Sequence, residues 1–221
     1  MIQGYVFDLD GTLLNTLASI AASFNRCLRQ FGHPEHPVGA YRYFVGDGQR
    51  KCVERVLPEA SRDEETILAF MAAQRDDYGE SWQELVEIYD GIPELLRRLA
   101  ERGRKLAVLS NKDHLFAQRC IEHFFPDVTF DAVQGYTNTI LHKPDPSGAR
   151  KIANYLQLPA EALAMVGDTA MDIATALACN MTPVGVLWGF RGVDELKNAG
   201  ARLIIDHPLE LLAVTEQRNS S

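Results

Sequence analysis

The stretch Tyr5-Val6-Phe7-Asp8-Leu9-Asp10-Gly11-Thr12 decides how the rest of the chain is read. An apolar run stops abruptly at two carboxylates that flank one leucine. If residues 5–9 continue the strand, its period of two puts Asp8 and Asp10 on one side. Gly11 then lets the backbone turn close to whatever those carboxylates hold. Two like charges about 4 Å apart repel by roughly 4 kcal/mol at an effective dielectric of about 20, a cost that a bound cation removes. An Asx-rich turn after a buried strand is the plainer reading of the same residues.

The 221 residues can hold one large α/β domain, or a core with a smaller insert. Thirty acidic residues against 22 basic ones give a net charge of −8, which excludes a general attraction to nucleic acid or to an anionic membrane. An anionic substrate must therefore be captured locally. Cys27, Cys52, Cys120 and Cys179 are scattered and form no CxxC pair, so neither a zinc site nor a disulfide framework is expected, and a reducing cytoplasm fits best. The N-terminus lacks a basic segment followed by an apolar one, and no run of 18 apolar residues occurs, so neither secretion nor membrane spanning is expected. Residues 216–221 are polar and expected to fray.

After the first strand, Leu17, Ile20, Ala21, Phe24, Cys27, Leu28 and Phe31 recur at helical spacing, ended by Gly32 and Pro34. His33 and His36 fall in the following turn; a solvated turn outweighs a metal site, because no third ligand lies nearby in sequence. Residues 40–79 read as helix in pieces, with a break at Gly46-Asp47-Gly48, a helix over residues 49–57 and another over 61–78. No strand is expected between residues 17 and 86, so this stretch reads as a small helical insert. Pro93 then opens a helix that runs to Gly103. Strands are expected at 105–109, 130–134, 162–166, 183–187 and 203–205, with helices at 115–125, 146–156 and 171–180.

This alternation implies an α/β fold with a doubly wound, Rossmann-like, mostly parallel sheet covered on both faces, carrying an inserted α-helical domain. The expected boundaries are residues 1–15 and 88–221 for the core and 16–87 for the insert. Ligands of such sheets bind beyond the carboxyl ends of the strands. Those ends carry Asp8 and Asp10, Ser110 and Asn111, and Gly167 and Asp168, with Lys143 on a further loop. Oxygen ligands from Asp8, Asp168 and Asp172 suit magnesium bridged to a substrate phosphate. Lys143, Ser110 and backbone amides could hold the phosphoryl group. With a carboxylate at the strand tip, covalent catalysis would pass through an aspartyl-phosphate, and Asp10 could protonate the leaving oxygen and then activate water.

The string DLDGT at 8–12, Ser110-Asn111, Lys143 before Pro144, and Gly167-Asp168-Thr169 with Asp172 together resemble the four ordered motifs of the haloacid dehalogenase superfamily. The resemblance implies that Asp8 is the nucleophile and Asp10 the general acid/base. Ser110, Asn111 and Lys143 would hold the phosphoryl group, and Asp8, the Asp10 carbonyl, Asp168 and Asp172 would surround Mg2+. The helical insert is similar to the family's cap. Asp10 implies a phosphatase rather than a dehalogenase. Gly46-x-Gly48, Ser110-Asn111-Lys112 and Trp188-Gly189-Phe190-Arg191 resemble the phosphoglycolate phosphatase branch. Ser110 and Asn15 depart from it, standing where many members carry threonine and an acidic residue.

The resulting expectation is a cytoplasmic, magnesium-dependent phosphomonoesterase, monomer or homodimer, acting on a small anionic phosphate ester such as 2-phosphoglycolate, with no nucleic-acid or membrane partner. Gly46 and Arg50, or Lys51, are candidates to meet the substrate, against the plainer role of solvated helix charges. A pyrophosphatase or a β-phosphoglucomutase-like phosphotransferase fits the same motifs. A non-catalytic binding module would be expected to have lost Asp8, Asp10, Lys143 or Asp168, and all four are present.

Overall fold

In a computed structural model that describes residues 1–214, the polar tail at 216–221 lies outside the described residues. The chain opens with β1 (Gly4–Phe7) and β2 (Leu14–Asn15). It continues through α1 (Leu17–Gln30), α2 (Tyr41–Phe44), α3 (Gln49–Val56) and α4 (Glu64–Ser81), and then forms β3 (Glu87–Ile88). Strict alternation follows: α5 (Ile92–Glu101), β4 (Lys105–Asp113), α6 (His114–Phe124), β5 (Ala132–Tyr136), α7 (Ser147–Leu156), β6 (Leu163–Gly167), α8 (Ala170–Ala178), β7 (Thr182–Val186), α9 (Val193–Asn198), β8 (Leu203–Ile205) and α10 (Leu211–Val214). Contacts divide the chain into two compact units, Met1–Leu14 with Ile88–Ser221, and Asn15–Glu87.

The first unit is a six-stranded sheet in the order β5-β4-β1-β6-β7-β8 with every pairing parallel. Strand β1 is central, and all four of its residues are buried because both faces of a parallel sheet are covered. On one face Val6, Ala107, Leu109, Leu163 and Met165 pack with Ile152 and Ala176 from α7 and α8. Pairing brings Phe7 opposite both Val108 and Val166, which aligns the carboxyl ends of β1, β4 and β6. The order reverses at β1, where the chain first builds outward through β4 and β5 and then returns to β6. This is the doubly wound arrangement whose strand ends create a ligand crevice.

The second unit is helical. Phe70 of α4 packs against Phe24 and Phe31, with ring centroids 6.1 and 5.1 Å apart. Arg26 clamps Asp77 with two 2.7 Å hydrogen bonds that tie α1 to α4. His36 is structural. Its Nε2 donates to the Val56 carbonyl at 2.9 Å, its backbone N–H donates to Asn25, and its ring meets Tyr41 and Phe44 edge-on. A partly buried set of hydrogen bonds and aromatic contacts thus surrounds His36 where a solvated turn was expected from sequence.

Several boundaries move. The first strand ends at Phe7 rather than at residue 9, because beyond Asp8 the N–H groups of Thr12, Leu13 and Leu14 all turn back onto the Leu9 carbonyl. The next edge strand begins at Ala132 instead of residue 130, since the Asp131 carboxylate bonds Lys105 and the Leu106 N–H at the sheet entrance. Short α9 and α10 were not signalled by apolar periodicity. Among the described residues, no helix is long and apolar enough to cross a membrane.

Met165, fully buried at the middle of β6, tests this core. Met165→Ala is expected to lower unfolding free energy by about 2–5 kcal/mol, read by urea denaturation. A loss under about 1 kcal/mol would mean that the sheet centre is not packed as described.

Candidate active site at the strand carboxyl ends

Three of the sheet's strand ends supply the site. At the end of β1, the Asp8 N–H still donates to Val166 at 2.8 Å, which holds its backbone against β6 while the side chain enters the crevice. Asp8 Oδ1 lies 2.7 Å from Lys143 Nζ and accepts the Leu9 N–H at 2.7 Å. The same ammonium donates to Asp172 Oδ1 at 2.6 Å. Asp172 is the third residue of α8 and closes a capping box with Thr169, whose N–H and hydroxyl bond Asp172 Oδ2 at 3.0 and 2.7 Å. Asp168 accepts from the Phe190 N–H at 2.8 Å and from the Thr12 hydroxyl at 3.3 Å.

Asp8, Asp168 and Asp172 are all buried, and each offers an oxygen within 4.8 Å of the others. Such crowding has an electrostatic cost. Burial, then the neighbouring Asp172, pushes Asp168 up to about 7. Burial raises Asp8 well above the usual carboxylate range, with Asp172 and Asp168 adding to it, although Lys143 opposes the shift. Burial alone would lower Lys143, but the Asp172 and Asp8 carboxylates outweigh it and raise the ammonium above its ordinary value. With all groups ionised, three carboxylates against one ammonium leave two negative charges. A donor set of hard oxygens carrying that surplus fits a divalent cation such as Mg2+.

Glycines make the crowding possible. A Cβ on Gly11 would lie 2.5 Å from Asp168 Oδ2, and Gly11 has φ +88. A Cβ on Gly167 would fall 2.2 Å from the Asp172 carboxyl carbon, and one on Gly189 would fall 2.3 Å from Asp168 Cβ. Trp188 braces the same turn by donating its indole N–H to the Thr12 carbonyl at 3.0 Å.

Strand β4 contributes differently from an ordinary strand. Its register against β5 slips between Leu109, opposite Gln134, and Asp113, opposite Tyr136, so three residues bulge out where the partner has one. In a regular strand, successive side chains point to opposite faces. Within this bulge Ser110, Asn111 and Lys112 instead serve three neighbouring tasks, as bulges near active sites do by re-aiming side chains. Ser110 Oγ accepts the Lys112 N–H at 3.2 Å. Asn111 accepts the Lys143 N–H at 2.6 Å and donates to the Lys143 carbonyl at 3.1 Å. Lys112 Nζ donates to both Asp10 oxygens, at 3.0 and 2.9 Å. Gly135 admits the bulge, since a Cβ there would be 2.6 Å from the Lys112 carbonyl.

These contacts bear on three expectations, one of which they overturn. The Asn111 amide is engaged with the backbone of Lys143, accepting its N–H and donating to its carbonyl. Asp8 and Asp10 do not share one face of a strand. They lie beyond β1 and engage different lysines, the Asp10 carboxylate being on Lys112. Arg50, in the helical unit, pairs with Glu54 and Glu64, and Gly46 lies in the same unit with φ +115. Lys112 had no assigned role from sequence; only the string Ser110-Asn111-Lys112 hinted at it.

A family model for haloacid dehalogenase-like hydrolases matches residues 5–186. The chain belongs to the haloacid dehalogenase-like hydrolase family. A phosphoglycolate phosphatase of Psychrobacter arcticus is 30% identical over 202 residues, covering 88% of this chain and 87% of that protein. A protein of Caldanaerobacter subterraneus subsp. tengcongensis, assigned by name to the pyrophosphatases, is 30% identical over 214 residues, covering 96% and 94%. The crystal structure of a protein assigned as a phosphoglycolate phosphatase from Lactobacillus delbrueckii subsp. bulgaricus superposes with a TM-score of 0.91 at 29% identity, covering 96% of this chain and 97% of that one. The family's α/β core is therefore the fold of this hydrolase.

In metal-free protein, Asp168 keeps its proton from about 3.8, where the unfolded chain releases it, up to about 7. Stability should therefore fall as pH rises through that window, by at most about 1.4 kcal/mol per pH unit from this group, and level off above it. Denaturant unfolding in chelator should reveal the slope, and Asp168→Asn should remove that part of it. An identical pH profile in both proteins would contradict the buried, cation-poor site described.

Proposed function

We propose that this hydrolase is a magnesium-dependent phosphatase that acts on a small anionic phosphate ester through an aspartyl-phosphate on Asp8. The observation that carries this reading is the buried group of Asp8, Asp168 and Asp172 around Lys143 at the strand ends, with Asp10 held separately by Lys112. An Asp8 oxygen attacks phosphorus, the bond from phosphorus to the ester oxygen breaks, and that oxygen takes a proton from Asp10. Water then attacks the phosphorus while giving a proton to Asp10, and the bond from phosphorus to Asp8 breaks. Lys143 and the Ser110 hydroxyl hold the transferring oxygens, while Asn111 and Asp172 aim Lys143 from its backbone and its tip. Mg2+, held by Asp8, Asp168 and the Asp10 carbonyl with Asp172 adjacent, would supply positive charge to the phosphoryl oxygens. The helical unit Asn15–Glu87 is the counterpart of the family's cap.

The proposed substrate is 2-phosphoglycolate, a reading supported by the names of the Psychrobacter and Lactobacillus relatives. Pyrophosphate is the second candidate, supported by the name of the Caldanaerobacter relative. A cytoplasmic location is compatible with the unpaired, buried state of all four cysteines.

Phosphate release is to be measured on 2-phosphoglycolate, pyrophosphate, β-glucose 1-phosphate and an aryl phosphate, with Mg2+ and with chelator. The expected result is a preference for 2-phosphoglycolate that disappears in chelator, returns with Mg2+ and falls by at least about 10³-fold in folded Asp8→Asn. A preference for pyrophosphate would replace the substrate. Undiminished turnover in Asp8→Asn would overturn the covalent route, and a folded but inactive wild type would favour a binding module.

A further inference from the structure

Resting on the reading of Asp10 as the group that passes protons to the leaving oxygen and takes them from water, we infer that Lys112 is the positioning residue for Asp10. Lys112 does not belong to the carboxylate group around Lys143. Its ammonium instead meets both oxygens of one carboxylate, at 3.0 and 2.9 Å. Near-equal contact with both oxygens centres the end of the carboxylate on one point of positive charge, which restricts where the Asp10 side chain can reach. Asp10 needs such an outside reference because it lies past the end of β1, in a turn tied by its own backbone bridge to Leu14.

Lys112 can serve as that reference because its base is stiff. Its N–H donates to Ser110, and its carbonyl is packed where Gly135 leaves room for it and nothing larger. The side chain is only 7% exposed, so the ammonium is directed inward along the bulge rather than outward to solvent. Throughout the reaction Lys112 keeps its own protons. The ester oxygen receives its proton from Asp10, and Asp10 recovers one from water as the new bond to phosphorus forms. What Lys112 supplies is the place from which Asp10 does both.

A lysine that merely balanced the charge of Asp10 would have no step-specific effect, and this separates the two roles. The full chain in Mg2+ is mixed rapidly with 4-nitrophenyl phosphate, whose leaving group departs readily without a proton, and steady-state rates are taken on it and on 2-phosphoglycolate. Lys112→Met is expected to lower kcat roughly 100-fold with KM changed by less than about threefold, the scale of a misplaced catalytic group. It should also release one equivalent of 4-nitrophenol in a burst, followed by slow phosphate release, because Asp8 is phosphorylated but water is poorly activated. Asp10→Asn should give the same burst, Asp8→Asn none. Lys112→Arg, which keeps a cation able to meet both Asp10 oxygens, should recover kcat to within about tenfold of wild type.

Unchanged kcat in Lys112→Met overturns the inference. So does a rise confined to KM, or a slow reaction without a burst while Asp10→Asn bursts, since either places Lys112 in substrate binding or in folding. If Asp10→Asn itself turns over normally, the reading of Asp10 fails and takes the inference with it, an outcome distinct from a failure of Lys112 alone. Should Lys112→Met not fold, Lys112→Gln reads the same burst with a single-point donor in its place.

Discussion

Holding Asp8, Asp168 and Asp172 within 4.8 Å of one another, out of water, is the constraint on which the rest of the site depends. Desolvation and mutual repulsion both oppose it. One ammonium, that of Lys143, touches two of the three carboxylates, and the third is stabilised by the Phe190 N–H and the Thr12 hydroxyl. The raised proton affinities of Asp8 and Asp168 indicate that the balance is incomplete without a cation. A site left short of positive charge is poorly arranged as a static core but has the donors to receive a divalent cation.

That arrangement reaches far into the fold. Lys143 arrives on a loop rather than a strand, and it is fixed at both ends. Asn111 takes its backbone N–H and carbonyl, and Asp172 takes its tip. Asp172 in turn is held by the first turn of α8, so a helix cap doubles as the anchor for a lysine on another segment. Phe190 and Trp188 come from the turn after β7, where Gly189 is small enough to lie against Asp168. Four separate segments after β1 therefore converge on the tip of the first strand, and the parallel register that aligns β1, β4 and β6 makes the convergence possible.

Much of this was legible in the sequence. Buried parallel strands announce themselves as short apolar runs, and three of the five expected after residue 100 lie within a residue of their places, while β4 runs on through its bulge and β5 starts two residues late. Asp8, Ser110 and Asp168 stood out because each closes such a run, whereas Lys143 and Asp172 were picked out by the ordered motifs they complete. What could not be read is where the backbone departs from regular geometry. Period-two reasoning put Asp8 and Asp10 together on a strand face, but the strand ends at Phe7 and the chain winds back onto the Leu9 carbonyl. Likewise the bulge in β4 depends on a glycine 23 residues after Lys112, Gly135, whose effect is invisible until the two strands are paired. Nor does local sequence reveal that the backbone of Lys143 will lie within reach of the Asn111 amide.

The departure at the end of β1 has a chemical consequence. Had Asp8 and Asp10 continued a regular strand on one face, both would have drawn on the same nearby cation, and their charges would have opposed each other. The turn and the bulge separate them. Asp8 answers to Lys143 and its carboxylate neighbours, while Asp10 answers to Lys112. Two carboxylates with a single residue between them thereby acquire different surroundings, which suits the proposed reaction, in which one bonds to phosphorus and the other moves a proton. The irregular backbone that defeats the sequence pattern is therefore the means by which this strand tip gives its two carboxylates different partners.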